Sequence, residues 1–285
     1  MTLTVRAALA DARARGVALL DAQLLLARVL ATTRSSLIAR DERALAADEV
    51  ERWSVGLARR AAGEPLAYVL GEKEFHGMLL EVTPDVLVPR PETELLVDWA
   101  GDLLRAFKDD RNVAGARASP SFVDLGTGSG AVALALKRLH PRALATASDA
   151  SAAALAVAAR NAARLGIGLE LVEGSWWKPF AGRSFDLVVS NPPYVADDDP
   201  HLPALRHEPI SALTAGGDGL AALRSIVAGA PTHLAEGGWL VVEHGFAQGA
   251  AVRQLLDRAG LLGIESRRDL AGHERATAGR RPSAA

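Results

Sequence analysis

Apolar positions over the first sixty residues recur at intervals of three and four. Leu3, Ala7 and Ala10 form one stripe; Leu19, Leu20, Ala22, Leu24, Leu25, Ala27, Val29 and Leu30 a second; Val50, Trp53, Leu57 and Ala58 a third. That period is the signature of amphipathic helices, and breaks at Gly16, Thr32-Thr33 and Asp41 divide it into several short ones. Gly63-Glu64-Pro65 ends the helical part. Residues 74–82 and 86–88 then read as a short hairpin turning at Thr83-Pro84-Asp85. It leads into Pro89-Arg90-Pro91-Glu92-Thr93-Glu94, where Thr93 or Glu92 could cap a helix over 95–107. Residues 109–120, polar and alanine-rich with a glycine, read as a surface connection.

From Ser121 the period changes. Short β-branched or apolar runs at 121–125, 143–148, 169–173, 185–189 and 239–243 alternate with helical stretches at 131–140, 151–165, 220–234 and 248–259. Two final strands are expected near 264–267 and 275–278. Regular alternation of strand and helix predicts a doubly wound α/β sheet covered on both faces, mostly parallel with an antiparallel C-terminal strand. The expected organisation is a small helical domain at 1–72, a hairpin or linker at 73–92, and an α/β domain at 93–285.

Composition narrows the function classes. The chain has 285 residues, 49% hydrophobic and 23% charged, with a net charge of −2. This is a globular composition with no bulk attraction to nucleic acid or to an anionic membrane. Cysteine is absent, which excludes disulfides, thiolate metal sites and cysteine nucleophiles. No apolar run approaches the roughly 20 residues a bilayer needs, and the first residues lack the apolar core of a signal peptide, so a cytoplasmic location is expected.

The candidate chemistry gathers at strand ends. In a doubly wound sheet, ligands bind over the carboxyl ends of the strands where the strand order reverses. The loop Gly126-Thr127-Gly128-Ser129-Gly130, Asp149, Ser175-Trp176 and Asn191 all fall on that edge. Glycines let backbone approach a ligand, and a carboxylate ending the second strand can accept both hydroxyls of a ribose. A nucleoside-bearing cofactor follows, although Gly126-x-Gly128-x-x-Ala131 with Asp149 also satisfies the dinucleotide pattern. Ser190-Asn191-Pro192-Pro193-Tyr194 discriminates between the two, because a hydride-transfer enzyme has no use for such a turn. Asn191 and the Pro192 carbonyl can accept the two hydrogens of a planar NH2, while Tyr194 stacks on the group that carries it. Taken alone, the same residues could simply cap a strand.

Asp124 followed by the loop 126–130 resembles the first motif of class I S-adenosylmethionine-dependent methyltransferases. With Glu64-Pro65-Leu66-Ala67-Tyr68, Val88-Pro89-Arg90-Pro91-Glu92-Thr93-Glu94, the 190–194 turn, Glu208-Pro209, Glu243-His244-Gly245, Arg268-Asp269 and Glu274-Arg275, the chain resembles the bacterial release factor glutamine methyltransferases. That resemblance implies a Rossmann-like methyltransferase sheet and S-adenosyl-L-methionine as methyl donor. It also implies transfer to the side-chain amide nitrogen of the glutamine in the Gly-Gly-Gln motif of class-1 peptide chain release factors. Gly126, Thr127, Gly128, Ser129, Gly130, Asp149, Trp176 and Asn191 would hold the cofactor; Asn191, Pro192, Pro193, Tyr194 and Arg90 would meet the substrate, with Asn191, Pro192 and Tyr194 catalytic. The family often has an acidic residue where this chain has Ser175, so a contact to the adenine amino group is expected to be lost. His244 reads as structural, Asp197-Asp198-Asp199 with His201 as a solvated loop with no metal, and 195–217 as a loop shaping the substrate entrance. The rival readings are an N-methyltransferase acting on an exocyclic amine of a DNA or RNA base, which can be gripped by the same turn, and a cofactor-binding module without turnover. The near-neutral charge argues against a stable nucleic-acid partner.

Overall fold

A computed structural model describes residues 3–109 and 119–283. Most of the connection expected at 109–120 therefore lies outside the described residues. The chain divides into two compact units, Met1–Lys73 and Glu74–Ala285.

The first unit is helical: α1 (Val5–Ala14), α2 (Leu19–Val29), α3 (Arg34–Ala39), α4 (Ala47–Ala61) and α5 (Leu66–Leu70). Thr4 and Thr33 cap α1 and α3 by accepting the amides of Ala7 and Ser36, and the Glu49 carboxylate accepts the Ala46 amide at the start of α4. The helices meet in one core of Val5, Ala8, Leu25, Leu26, Leu37, Trp53 and Leu57. Leu25, Trp53 and Leu57 fall there as expected, whereas Ala7, Ala10, Leu19, Leu20 and Ala58 are exposed, and α1 turns Val5, Ala8 and Ala12 inward instead. Gly56 allows the close approach of α4 to α2, since a Cβ there would lie 2.9 Å from Leu25 Cδ1.

Strands β1 (Glu72–Phe75) and β2 (Met78–Glu81) pair as a two-stranded sheet. The hairpin turns at His76 and Gly77, with φ of 50° and 72°, and not at Thr83-Pro84-Asp85 as the sequence suggests. Two successive positive φ angles are what a tight hairpin needs, and His-Gly supplies them without the usual Asn or Asp. Val86, Leu87 and Val88 form no strand; the Val88 amide donates instead to the Glu208 carboxylate at 3.1 Å.

The second unit continues with α6 (Glu94–Asp109), β3 (Ser121–Leu125), α7 (Ala131–Leu139), β4 (Leu144–Asp149), α8 (Ala152–Leu165), β5 (Glu170–Glu173) and β6 (Phe185–Ser190). It ends with α9 (Ala221–His233), β7 (Leu234–Glu243), α10 (Gly249–Arg258), β8 (Leu262–Arg268) and β9 (Glu274–Arg280). Seven strands form one sheet in the order β5-β4-β3-β6-β7-β9-β8, parallel except for β9, which runs antiparallel to both neighbours. Side chains alternate between two cores. Phe122, Leu187, Val189 and Val241 face one side with Leu96, Leu104 and Leu134; Val123, Leu125, Val188, Leu240 and Val242 face the other with Leu223, Ile226, Val252 and Leu256. Burial on both faces explains why these strands read as near-continuous apolar runs. From β3 the chain winds outward to β5, then returns to place β6 on the other flank of β3, so the order reverses between β3 and β6. No helix among the described residues is long and apolar enough to cross a membrane.

Candidate active site

A cavity of about 360 Å³ opens at that reversal, over the carboxyl ends of β3 to β6. It is lined by Gly126, Thr127, Gly128 and Ser129 after β3, Asp149 ending β4, Ser175 and Trp176 after β5, and Asn191 and Pro193 after β6. Asp85, Pro89, Arg90 and Thr93 add to it from the segment before α6, and Pro209, Ser211 and Ala212 from the 195–217 segment. Four separate sequence stretches thus meet at one place, as their positions at strand ends require.

The glycine loop is held from below. The amides of Gly126 and Thr127 both donate to the Ser148 carbonyl at 2.9 Å, and the Gly128 amide donates to Asp149 Oδ2 at 2.9 Å. Gly128 has φ of 54°, and a Cβ added there would meet nothing within 4 Å, so its open side is cavity. Asn161, fully buried on α8, donates to the Ser129 carbonyl at 2.9 Å and accepts the Glu81 amide at 2.7 Å. It ties the loop to β2.

Asp124 is buried beneath this loop and accepts the Thr127 hydroxyl at 2.6 Å and the Ala133 amide at 3.2 Å. Burial pushes its carboxyl up to about 7 against those two donors, with the Asp149 charge adding to the rise. Asp149 accepts the Gly128 amide on one oxygen and the Ser151 amide, at 2.9 Å, on the other. Each oxygen keeps a second lone pair for a hydroxyl pair on a ligand. Trp176 adopts a left-handed φ of 49°, uncommon for so large a residue, and its indole carbon Cζ3 lies 3.5 Å from where a Gly126 Cβ would stand. A flat aromatic wall therefore stands over the loop. Together these features fit a nucleoside carrying a charged tail.

The turn after β6 is equally constrained. The Ser190 hydroxyl donates to the Leu125 carbonyl at 2.6 Å, and the Asn191 NH2 donates to Thr93 Oγ1 at 3.1 Å. With its NH2 committed to Thr93, the amide oxygen of Asn191 is the group left for a ligand. Pro192 is buried, and neither it nor Tyr194 lines the cavity. The Tyr194 hydroxyl donates to Glu243 Oε1 at 3.2 Å, and its carbonyl accepts Gln248 Nε2 at 3.0 Å. Burial, then the Glu243 charge, raises the Tyr194 pKa, so the phenol stays a donor. Arg90 pairs with Glu208, a buried carboxylate that belongs to the 195–217 segment.

Sequence reasoning did not find Thr93, Glu243, Asn161, Gln248 or Glu208 as site residues. For Thr93 it offered a helix cap; a short 3-10 turn at Pro91–Thr93 precedes α6 instead, and the hydroxyl faces Asn191. Glu243 carried a readable signal, a charged residue ending an apolar strand on the ligand edge. His244 is fully buried, bonded to Thr277 Oγ1 at 2.7 Å and to the Gly245 carbonyl, and burial lowers its pKa. Asp197 accepts the Thr214 hydroxyl and the Gly217 amide, both at 2.7 Å, closing the base of its loop.

Two families match the chain: PrmC N-terminal domain over residues 4–71, and methyltransferase small domain over residues 102–259. The release factor glutamine methyltransferase of Burkholderia pseudomallei is 49% identical over 279 residues, covering 95% of this chain and 94% of that protein. The chain belongs to the release factor glutamine methyltransferase family. A relative of the same description from Pseudomonas aeruginosa is 45% identical, covering 91% of each chain. The crystal structure of a methyltransferase from Pyrococcus furiosus shares the fold, with a TM-score of 0.54 at 18% identity, covering 80% of this chain and 99% of that one.

Proposed function

We propose that the chain transfers a methyl group to the side-chain amide nitrogen of the glutamine in the Gly-Gly-Gln motif of class-1 peptide chain release factors, with S-adenosyl-L-methionine as donor. The observation that carries this reading is the fixed acceptor turn at Asn191, on the same cavity as the loop 126–130 and Asp149. When bound, the donor supplies an electrophilic methyl on a sulfonium. Gly126, Thr127, Gly128 and Ser129 bring backbone against its charged end, while Gly130, at the start of α7, does not line the cavity and packs against Leu134 and Ala158. Asp149 accepts the ribose hydroxyls, and Trp176 covers the adenine; Ser175 leaves the adenine amino group without a carboxylate.

An amide nitrogen is a poor nucleophile because its lone pair is shared with the carbonyl. Asn191 Oδ1 on the cavity wall accepts one N–H, and the Pro192 carbonyl, between the lining residues Asn191 and Pro193 although Pro192 itself is buried, accepts the other. Together they hold that nitrogen in place and raise its electron density. Pro193 lines the approach, and Tyr194 stiffens the turn from behind through Glu243 and Gln248. Positioning of this kind supplies on the order of 7–11 kcal/mol in favourable intramolecular cases. No general base is needed, since the product's extra proton can pass to water. The carboxylates lining the cavity are each bound to their own loops: Asp85 to Thr83, Asp124 to Thr127 and Asp149 to Gly128. Arg90, one face of it bound to Glu208, shapes the rim where the substrate loop enters.

The helical unit Met1–Lys73 serves recognition of the protein substrate, and the enzyme works in the cytoplasm without a membrane or a stable nucleic-acid partner. The test is to offer release factor, DNA and RNA in turn with labelled methyl donor and locate the label by mass spectrometry. Label on the release factor is expected. Label on nucleic acid alone would replace this reading with base N-methylation.

A further inference from the structure

Glu243 ends β7 on the ligand edge of the sheet, 1% exposed. The Tyr194 hydroxyl occupies Oε1, while Oε2 is buried without a hydrogen-bond partner among the described residues. A buried carboxylate oxygen lacking a donor is costly, so the neighbourhood should contain one. Arg275 of β9 favours the charged form from a distance, but its guanidinium is bound to Asp269 at 3.3 Å. Glu92, before α6, opposes it. The Thr93 hydroxyl also stands close enough to favour the charged form, although no Thr93–Glu243 hydrogen bond is closed in the structure, and Thr93 is the group placed between Glu243 and Asn191.

Thr93 has one proton to give. If that proton points at the Glu243 carboxylate, the hydroxyl can only accept from Asn191, and this is the bond seen at 3.1 Å. The NH2 of Asn191 must then face Thr93 and its carbonyl must face the cavity. We propose that Glu243 is a positioning residue which, through Thr93, fixes the Asn191 amide with its oxygen toward the substrate. This rests on the reading of Asn191 as the acceptor for a substrate amide.

The chain of bonds reverses when Glu243 is protonated. The carboxyl then donates to Thr93, the Thr93 proton turns to Asn191, and the amide rotates to offer its NH2 to the cavity. Two NH2 groups then face each other and the grip is lost. Burial holds the Glu243 carboxyl up to about 7, so the reversal falls within the accessible range and the rate declines as pH falls through that value. The positive charge of a bound sulfonium moves the midpoint lower.

The experiment measures kcat and KM for release factor from pH 5.5 to 9 at saturating donor, with donor affinity and melting temperature recorded for each variant. Wild type is expected to show a one-proton acid limb with a midpoint at or below about 7. Glu243→Gln should lower kcat at pH 8 by roughly tenfold or more and lose that limb, with donor affinity unchanged. Thr93→Val should do the same, and Thr93→Ser should restore both rate and limb. Glu243→Gln keeping the wild-type limb, or Thr93→Val turning over at the wild-type rate, would overturn the proposal. Should Glu243→Gln fail to fold, the two Thr93 variants decide alone. Failure of the wild-type chain to methylate any release factor is a different result, and it would remove the function on which the proposal rests.

Discussion

Asp149 Oδ2 accepts the Gly128 backbone amide at 2.9 Å, so the carboxylate proposed to take a ligand's ribose also sets the loop proposed to meet its charged tail. Asp149→Ala removes both supports at once. Calorimetric titration with S-adenosylmethionine should give a Kd raised by roughly 10–100-fold, about 1.4 to 2.7 kcal/mol. Release factor binding without donor should change little. An unchanged donor Kd would remove Asp149 from the site.

Gly219 presses on the turn from the far side. A Cβ at this position would lie 2.3 Å from the Tyr194 carbonyl oxygen, and its φ of 73° is also unsuited to a side chain. Gly219→Ala should shift the turn, lowering kcat by about tenfold or more while donor affinity stays within about threefold. It should also lower stability by about 1 kcal/mol or more in urea unfolding. Wild-type kcat in this variant would show that the turn tolerates displacement.

Arg90 and Glu208 form an ion pair with Glu208 buried, and the same carboxylate accepts the Val88 amide. Removing the cation leaves a buried charge without its partner. Because Arg90 is about a third exposed (34%), Arg90→Ala should cost about 1–3 kcal/mol, less than a fully buried pair. Adding Glu208→Gln, which keeps an acceptor for Val88, should recover part of that loss. A double variant less stable than Arg90→Ala alone would contradict this account.

The carboxyl of Asp124, raised to about 7 by burial, makes stability depend on pH in a stated direction. Between the ordinary carboxylate value and about 7 the folded chain binds the proton more tightly than the unfolded chain. This contribution is fully present below pH 4 and is lost as pH rises through about 7. Carboxylates held low, such as Glu170 beside Arg183 and Glu274 beside Arg253, act oppositely and only at more acid pH. Asp124→Asn keeps an acceptor for Thr127 and Ala133. Its melting temperature relative to wild type should therefore rise between pH 5 and pH 8. A constant difference would mean that Asp124 titrates normally.

The sheet and the ligand edge were legible because both follow from periodicity and from the residues that end strands. Asp149, Trp176 and Asn191 each stand at or just past the carboxyl end of a strand, and strand polarity alone brings them together. The hairpin turn was misplaced because His76-Gly77 achieves two positive φ angles without the expected turn residues, while Thr83-Pro84-Asp85 does form a turn, closed by the Val86 amide on the Thr83 carbonyl at 3.1 Å, but joins no second strand. What could not be read was the support behind the site. The Thr93 to Asn191 bond spans 98 residues and the Tyr194 to Glu243 bond 49. Such pairings depend on which strands lie side by side, and no local pattern encodes them.

The central claim is that Asn191 grips the amide of a single glutamine. Wild type and Asn191→Ala should each be incubated with S-adenosylmethionine and a class-1 release factor for one turnover, and the Gly-Gly-Gln peptide sequenced by tandem mass spectrometry. The account predicts one added methyl on the glutamine side chain with wild type and none with Asn191→Ala, although the variant binds donor within about threefold of wild type. A methyl on any other residue, or methylation by Asn191→Ala at the wild-type rate, would contradict it.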